Sequence, residues 1–479
     1  MTKTFTFFLS FLFLTGCNLV RQEKQKAPSE IIPPSWTTKF KWSASKPDSN
    51  QTFWIDSFKN PYLTKSVRKA LDNNADILTA MERVIAAGEN AVASGADIYP
   101  SINADISGTR SKRNLIGFNF PNGDSSFTSK SFNSGINISW ELDLWGKRRD
   151  IRKSSKKRFE VTKEELEAAR LSLTGQVAKA WFERIENEGQ VRIALETANT
   201  YSQTQSFIED RFEKGLGIGI GGQASALDNH LASSSLYTAN ANLSLRKRIL
   251  AATNKKIDIL EGSFPRRPVD SNSTLTLPSL DSIPKPLSPA EALIQRPDLK
   301  ASILKIEASG LELGVSRKNL LPSFVVAGGP GSRSEEFNSL LDQKFRVWDV
   351  SVAISQPIFQ GGRLRAHVRK SKALQEAAIN DFKSTALRAF GEVENALTAE
   401  QFMQAEEAHL EKAALAAETA AKLTWERYQR GVEGIFNTLD AQRRSFEAES
   451  RLLSLKKERL LNRIDLYLAL GMKALSPQL

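Results

Sequence analysis

Two long stretches without proline constrain this chain more than any other feature. None occurs from Asn122 to Phe264, 143 residues, or from Ile358 to Ser476, 119 residues. Proline in a helix interior removes a hydrogen bond and clashes with the preceding turn, so its absence leaves room for very long helices. Ala, Leu, Glu, Lys, Arg and Gln, the strong helix formers, dominate both stretches. Lys147 to Lys214 and Arg363 to Arg430 are each 68 residues, enough for helices of about 100 Å. Apolar positions recur at spacings of three and four, as in Leu387, Phe390, Val393 and Leu397, then Leu453, Leu460, Ile464 and Leu468. Such stripes pack against neighbouring helices.

The equal lengths reflect an internal duplication. IYPSINADISGTR (98–110) matches LLPSFVVAGGPGSR (320–333), and SWELDLWGKRRDIRKS (139–154) matches SQPIFQGGRLRAHVRKS (355–371) with Gly146 over Gly362. RFEKGL (211–216) then matches RYQRGV (427–432), and Leu227-Asp228 matches Leu439-Asp440. The offset falls from 216 to 212 residues between the last two, which assigns about four extra residues to the Gly-rich segment 217–222 of the first copy. Between the copies, residues 265–297 hold 7 of the 18 prolines. The expected organisation is a leader at 1–16, an N-terminal extension at 17–60, a first repeat at 61–264 and a linker at 265–288. A second repeat at 289–470 and a tail at 471–479 follow.

Each repeat sets a candidate strand pair between its helices, near 101–110 and 131–143, then near 323–332 and 346–357. Ile102, Ala104 and Ile106 alternate with Asn103, Asp105 and Ser107; Phe132, Ile136, Ile138 and Trp140 with Asn133, Asn137 and Ser139; Trp348, Val350, Val352 and Ile354 with Asp349, Ser351 and Ser355. Phe324 to Gly328 is apolar on both sides. Strands of about ten residues with one apolar face suit an outer-membrane barrel, with Trp140, Trp145 and Trp348 as interfacial aromatics. Four strands cannot close around a lumen, since single-chain barrels start at eight, and open edges are forbidden in lipid. Membrane-spanning strands would therefore require several copies to share one barrel.

The N-terminus assigns a compartment. In MTKTFTFFLSFLFLTGC, Lys3 precedes an apolar run of about ten residues, too short to span a bilayer but right for a signal peptide. Leu14-Thr15-Gly16-Cys17 resembles a bacterial lipobox, and Cys17 is the only cysteine of the chain. An acylated Cys17 would anchor the mature chain to a membrane. A single cysteine also excludes an intrachain disulfide and a Cys-ligated zinc site. The histidines, His230, His367 and His409, are scattered.

SWELDLWGKRR (139–149), LIQRPDLKA (293–301), SQPIFQGGRL (355–364), FGEVENAL (390–397) and RGVEGIFNTLDAQR (430–443) together resemble the outer membrane efflux proteins of the TolC type. With the lipobox, they resemble the lipoprotein branch serving resistance-nodulation-division pumps. The resemblance implies a mainly α chain with a membrane β-barrel: internally duplicated long α-hairpins form a periplasmic tunnel, and four strands per chain contribute to a trimeric twelve-stranded barrel. It implies an outer-membrane exit duct for drugs or other small toxic compounds, without a cofactor. Its partners would be a periplasmic adaptor, an inner-membrane transporter and outer-membrane lipid. It further implies that Phe436, Asp440 and Arg443 form the periplasmic aperture and that Arg296, Pro297 and Asp298 are the family's linker-helix motif. Three departures stand out: Ile303 where a Glu is usual, the insertion at 217–222, and an ending (LALGMKALSPQL) without the usual glycines.

Other signals point less far. Lys147 to Arg158 holds eight Lys/Arg in twelve residues; it reads as a solvated helix face or as a collar near lipid headgroups. In an exported chain without an aromatic stacking platform it does not read as a nucleic-acid site. Gly217 to Gly221 follows a helix rather than a strand, unlike a phosphate loop. Ser302 to Lys305 matches S-x-x-K without a K-T-G partner. No catalytic constellation emerges. A type I secretion channel and a lipid-anchored periplasmic rod remain the competing readings.

Overall fold

In a computed structural model, the structure describes residues 33, 35–38, 53–114, 126–214, 226–266, 276–280 and 288–475. Cys17, the leader and the insertion 217–222 lie outside the described residues, as does most of the linker. In chain order the elements are α1 (Pro61–Asn73), α2 (Ala75–Ala96), β1 (Ser101–Asn114), β2 (Ser126–Glu141), α3 (Lys147–Glu213) and α4 (Ala226–Leu260). There follow α5 (Pro289–Ile294), α6 (Pro297–Lys318), β3 (Ser323–Ser334), β4 (Arg346–Ser355), α7 (Arg363–Gln429) and α8 (Ile435–Ala469). The duplication is visible in the lengths: α3 and α7 have 67 residues each, and α4 and α8 have 35 each. Both long helices follow a glycine with positive φ, Gly146 at 73° and Gly362 at 81°, a conformation that only glycine adopts without strain.

The chain divides into two compact units. The first, among the described residues, comprises Arg83–Lys163 and Ala301–Phe382 and is organised on one antiparallel sheet of order β1-β2-β3-β4. Register aligns the apolar residues on one face. Ile102 pairs with Ile138 and Ala104 with Ile136, while Val326 is bracketed by Trp140 and Val352, and Phe324 faces Ile354. Phe324 to Gly328, ambiguous in sequence, is thus an inner strand of the sheet. The β2–β3 ladder skips Ile136 and Asn137, which lie opposite Pro330 and Gly329, because proline has no N–H to give. At Gly329 a Cβ would lie 1.8 Å from the Ile136 carbonyl oxygen, so the strands approach too closely there for any side chain. Ile102, Ile106, Trp348, Val350, Val352 and Ile354 are all exposed. Among the described residues no helix is long and apolar enough to cross a membrane.

The second unit, Glu164–Lys300 and Lys383–Leu479 with the described residues before Arg83, carries the main hydrophobic core. Asn60 caps α1 by accepting from the Tyr62 and Leu63 amides at 3.1 Å, and Pro61 takes the first helical position, where its missing N–H costs nothing. Leu63, Val67 and Ala70 then recur along one face of α1 and pack with Trp54, Ile55 and Phe58, with Val177, Trp181 and Phe182 of α3, and with Leu460 and Ile464 of α8. A buried ionic cluster sets the register of α7 against α8. Glu400, 2% exposed, accepts from Arg459 at 2.9 Å and from Arg463 at 3.1 Å, and Arg459 also pairs with Glu407. Truncating Glu400 would remove the carboxylate that Arg459 and the buried Arg463 share, leaving Glu407 to Arg459. Breaking a buried pair costs about 3–5 kcal/mol. Glu400→Ala is expected to be destabilising by about that much and Glu400→Gln by less, as read from thermal unfolding of the detergent-solubilised protein.

Candidate functional site

Three regions concentrate chemistry in the described residues, and each lies inside one unit. The first is the junction where β2 becomes α3. Trp145 donates from its indole to the Pro322 carbonyl at 2.7 Å and lies 6.4 Å from the Phe324 ring. It is half-buried, and so braces the junction rather than facing outward as an interfacial aromatic. Trp140, whose indole donates to the Ile98 carbonyl, is 40% exposed and Trp348 is 79% exposed. Asp143 accepts from the Arg148 and Arg149 amides at 2.9 and 3.0 Å, filling the donor sites of the first turn of α3. Burial opposes its charge, but those amides and the Arg149 guanidinium outweigh it and hold the carboxyl below its ordinary range.

The basic run that opens α3 is largely neutralised. Lys147 and Arg148 pair with Glu141, Arg149 with Asp143, Lys157 with Glu160 and Glu307, and Arg158 with Glu312. Asp150 adds a pair with Lys318 of α6. Five of the eight cations are therefore engaged within the unit, so the run is neither a plain solvated face nor a collar of free charge. The signal that sequence reading missed is the acidic pair Glu307 and Glu312, more than 140 residues away on α6.

The second region is built on Arg296, Pro297 and Asp298. Pro297 is the first residue of α6, Asp298 sits in its first turn, and the Arg296 guanidinium grips Asp298 bidentately at 3.0 and 2.8 Å. Its remaining nitrogen donates to Glu392 at 2.7 Å and to the Ala469 carbonyl at 2.9 Å. Burial disfavours the charge, yet the two carboxylates more than offset it and raise the pKa. The motif is a clasp joining α6, α7 and α8, with its charge already matched. Two residues beyond Glu392 on α7, Glu394 accepts from the Thr37 and Thr38 amides at 2.6 and 2.9 Å, and Trp36 stacks on Phe390 at 5.3 Å. This grip on the N-terminal extension by FGEVENAL was not anticipated from the sequence.

The third region is the turn between α7 and α8. Tyr428, Ile435 and Thr438 are buried there, against Phe207 and Ile208 of α3 and Ala232 of α4. Arg211 lies over the Phe207 ring at 4.7 Å and reaches the Gln429 carbonyl. Phe436 is 70% exposed. Asp440, one turn further on, pairs with Arg443 at 2.6 Å and with Arg444 at 2.7 Å, and Arg443 also pairs with Glu447. These hydrogen bonds, Arg443 first, hold the Asp440 carboxyl below its ordinary range. Asp440 and Arg443 are thus brought together, while Phe436 stands apart with an open face. Among the described residues no group of His, Cys, Asp and Glu is arranged to hold a metal ion.

Two phenols in this region give a pH signature. Burial, with Asp228 adding to it, pushes Tyr428 up to about 12, and burial pushes Tyr201 up to about 12 although Arg443 opposes the shift. A raised folded value means that the unfolded chain loses the proton first, so the contribution of these phenols to stability is constant below the ordinary value of 10.0 and declines between there and about 12. Tyr201→Phe with Tyr428→Phe should flatten that alkaline decline in a series of melting curves against pH.

The chain has clear relatives. The model of the family described as "Outer membrane efflux protein" matches residues 66–260 and 288–472. The cation efflux system protein CusC of Escherichia coli strain K12 is 27% identical over 466 residues, covering 96% of this chain and 97% of the relative. The probable outer membrane lipoprotein SilC of Salmonella typhimurium is 25% identical over the same length, with 96% and 97% covered. Among solved structures, the outer-membrane channel OprN superposes with a TM-score of 0.83 at 25% identity, covering 95% of this chain and 99% of that one. The exposed apolar sheet, the paired long helices and the duplicated turns all lie within these matches. The chain belongs to the outer membrane efflux protein family, and it is an outer-membrane channel through which an efflux system discharges its cargo.

Proposed function

We propose that three copies of this chain form the working channel, each contributing β1 to β4 to one twelve-stranded barrel in the outer membrane. The observation that carries this reading is a sheet with an exposed apolar face whose outer strands, β1 and β4, each have only one partner strand among the described residues. In lipid such edges leave backbone groups unsatisfied, at several kcal/mol each, unless another copy pairs with them. Closure by rotational symmetry then requires β4 of one copy to meet β1 of the next. Acylated Cys17 adds a second membrane attachment.

On this reading the long helices continue the pore into the periplasm and hand over to an adaptor protein and an inner-membrane transporter of the resistance-nodulation-division class. Energy comes from that transporter, and the channel conducts passively. The cargo is small and toxic, either drug-like or, by analogy with the cation efflux relative, a metal cation. The α7–α8 turn supplies the gate. Symmetry repeats Phe436, Asp440 and Arg443 around the axis, with Phe436 as a dewetting constriction and the charges as a ring. Because Asp440 is already bound by Arg443 and Arg444, opening has to disturb pairs internal to α8.

Native mass spectrometry on the mature protein from outer membranes should find a trimer carrying acyl mass on Cys17. A monomer or dimer that persists in every detergent would reject the shared barrel. Asp440→Ala combined with Arg443→Ala should raise single-channel conductance about twofold or more and admit external antibiotics. Unchanged conductance and unchanged entry would remove these residues from the gate.

A further inference from the structure

The apolar face of the sheet changes character at one level. Along β1 its residues are Ile102, Ala104, Ile106 and Gly108, and then Arg110 and Lys112. On β2 the partners in the same order are Ile138, Ile136, Ser134 and Phe132, and then Lys130 and Thr128. Arg110 therefore faces Lys130 directly, with Lys112 one step beyond on the same face, and all three are exposed. Like charges directly opposite on a sheet are destabilising, and among the described residues none of the three has a carboxylate within 4.0 Å. The other face is neutral at this level, with Thr109 and Ser131 paired and Ser111 hydrogen-bonded to Ser129 at 2.9 Å. Arg113 stands beyond these pairs on that second face, whereas Arg110, Lys112 and Lys130 share the face that is apolar over the rest of its length.

Distance along the strand gives this a meaning. From Ile102 to Arg110 is eight residues, about 27 Å of strand. At a tilt of about 40° this is roughly 20 Å of height, close to the apolar band of about 25 Å that a membrane barrel presents. The three cations stand at the far margin of that band, at the end of the sheet away from α3 and α7. There a Lys or Arg side chain leaves hydrocarbon for headgroups.

We propose that Arg110, Lys112 and Lys130 form a cradle for phosphate groups of the lipids in the outer leaflet, the bound phosphate supplying the negative charge that the described residues do not bring to them. The proposal rests on the membrane-spanning reading of the sheet. Its chemistry is that of an anionic lipid surface: Arg110 and Lys130, with Cβ atoms about 5 Å apart across the strands, and Lys112 beside them can bring guanidinium and ammonium donors to one phosphate or to two. Occupancy would offset the repulsion between Arg110 and Lys130 and so tighten the β1–β2 ribbon at its far end.

The test uses the full mature protein reconstituted in lipid nanodiscs, probed with a diphosphorylated disaccharide lipid, its phosphatase-treated form, and inorganic phosphate. Wild type should hold the phosphorylated lipid in preference to the dephosphorylated one, with affinity falling as salt rises. Arg110→Gln, Lys112→Gln and Lys130→Gln should weaken it by roughly fivefold per charge, about a hundredfold together. A control of equal charge, Arg152→Gln with Lys153→Gln and Lys156→Gln in α3, should bind as wild type. Equal binding of both lipid forms, equal loss in the control, or displacement by millimolar inorganic phosphate as effectively as by lipid would each overturn the cradle. Resistance to alkaline extraction from native membranes is scored separately. A protein that is extracted refutes the membrane reading itself, whereas one that stays embedded without phosphate preference refutes only the cradle.

Discussion

Backbone groups at the edge of a sheet must find partners, and lipid offers none. The pairs joining β1 to β2, β2 to β3 and β3 to β4 satisfy the interior of this sheet, and nothing within one chain satisfies the outer sides of β1 and β4 among the described residues. Ile102, Ile106, Val350 and Ile354 make the same demand by another route, since an exposed apolar face of this extent is costly in water. Together, lipid on the face and a second copy at each edge meet both needs. The helices inherit the symmetry that the sheet imposes, because each strand pair leads at a glycine turn into a 67-residue helix.

The clasps serve that arrangement. Asp143 fixes the first turn of α3, Lys318 ties Asp150 to α6, and Arg296 ties α6 to α7 and α8. None of these groups has free charge to offer a ligand. Their carboxylates and cations are matched within the fold, which is what a duct that must hold its cross-section requires.

Much of this was legible in the sequence because it is local or periodic. Proline-free spans set the long helices, alternation set three of the strands, and Gly146 over Gly362 marked the matching turns. What was hidden joins residues far apart in the chain. Glu400 meets Arg459 and Arg463 across the α7–α8 turn, Glu394 meets Thr37 and Thr38 over more than 350 positions, and Glu312 meets Arg158 over 154. A charged residue on a helix looks the same in sequence whether it faces water or a partner 150 residues away. Phe324 to Gly328 was ambiguous for a related reason: Val325 and Ala327 interrupt the polar side of the alternation, and only the register against β2 and β4 reveals which face each occupies.

The duplication also shows where the two copies have parted. Asp228 and Asp440 occupy matching positions, but three and four residues after Asp440 come Arg443 and Arg444, whereas Leu231 and Ala232 follow Asp228. The second copy therefore carries an ion-paired helix face at its turn, and the first carries an apolar one, with Ala232 buried beside Tyr428. In a trimer, six hairpin turns would alternate between these two chemistries. Both are held by the same packing, Ala232 against Tyr428 and Ile435, while the pairs of Asp440 with Arg443 and Arg444 lie within α8 itself. The asymmetry between the copies is thus one of charge on the exposed helix face, laid over a packing that the two hairpins share.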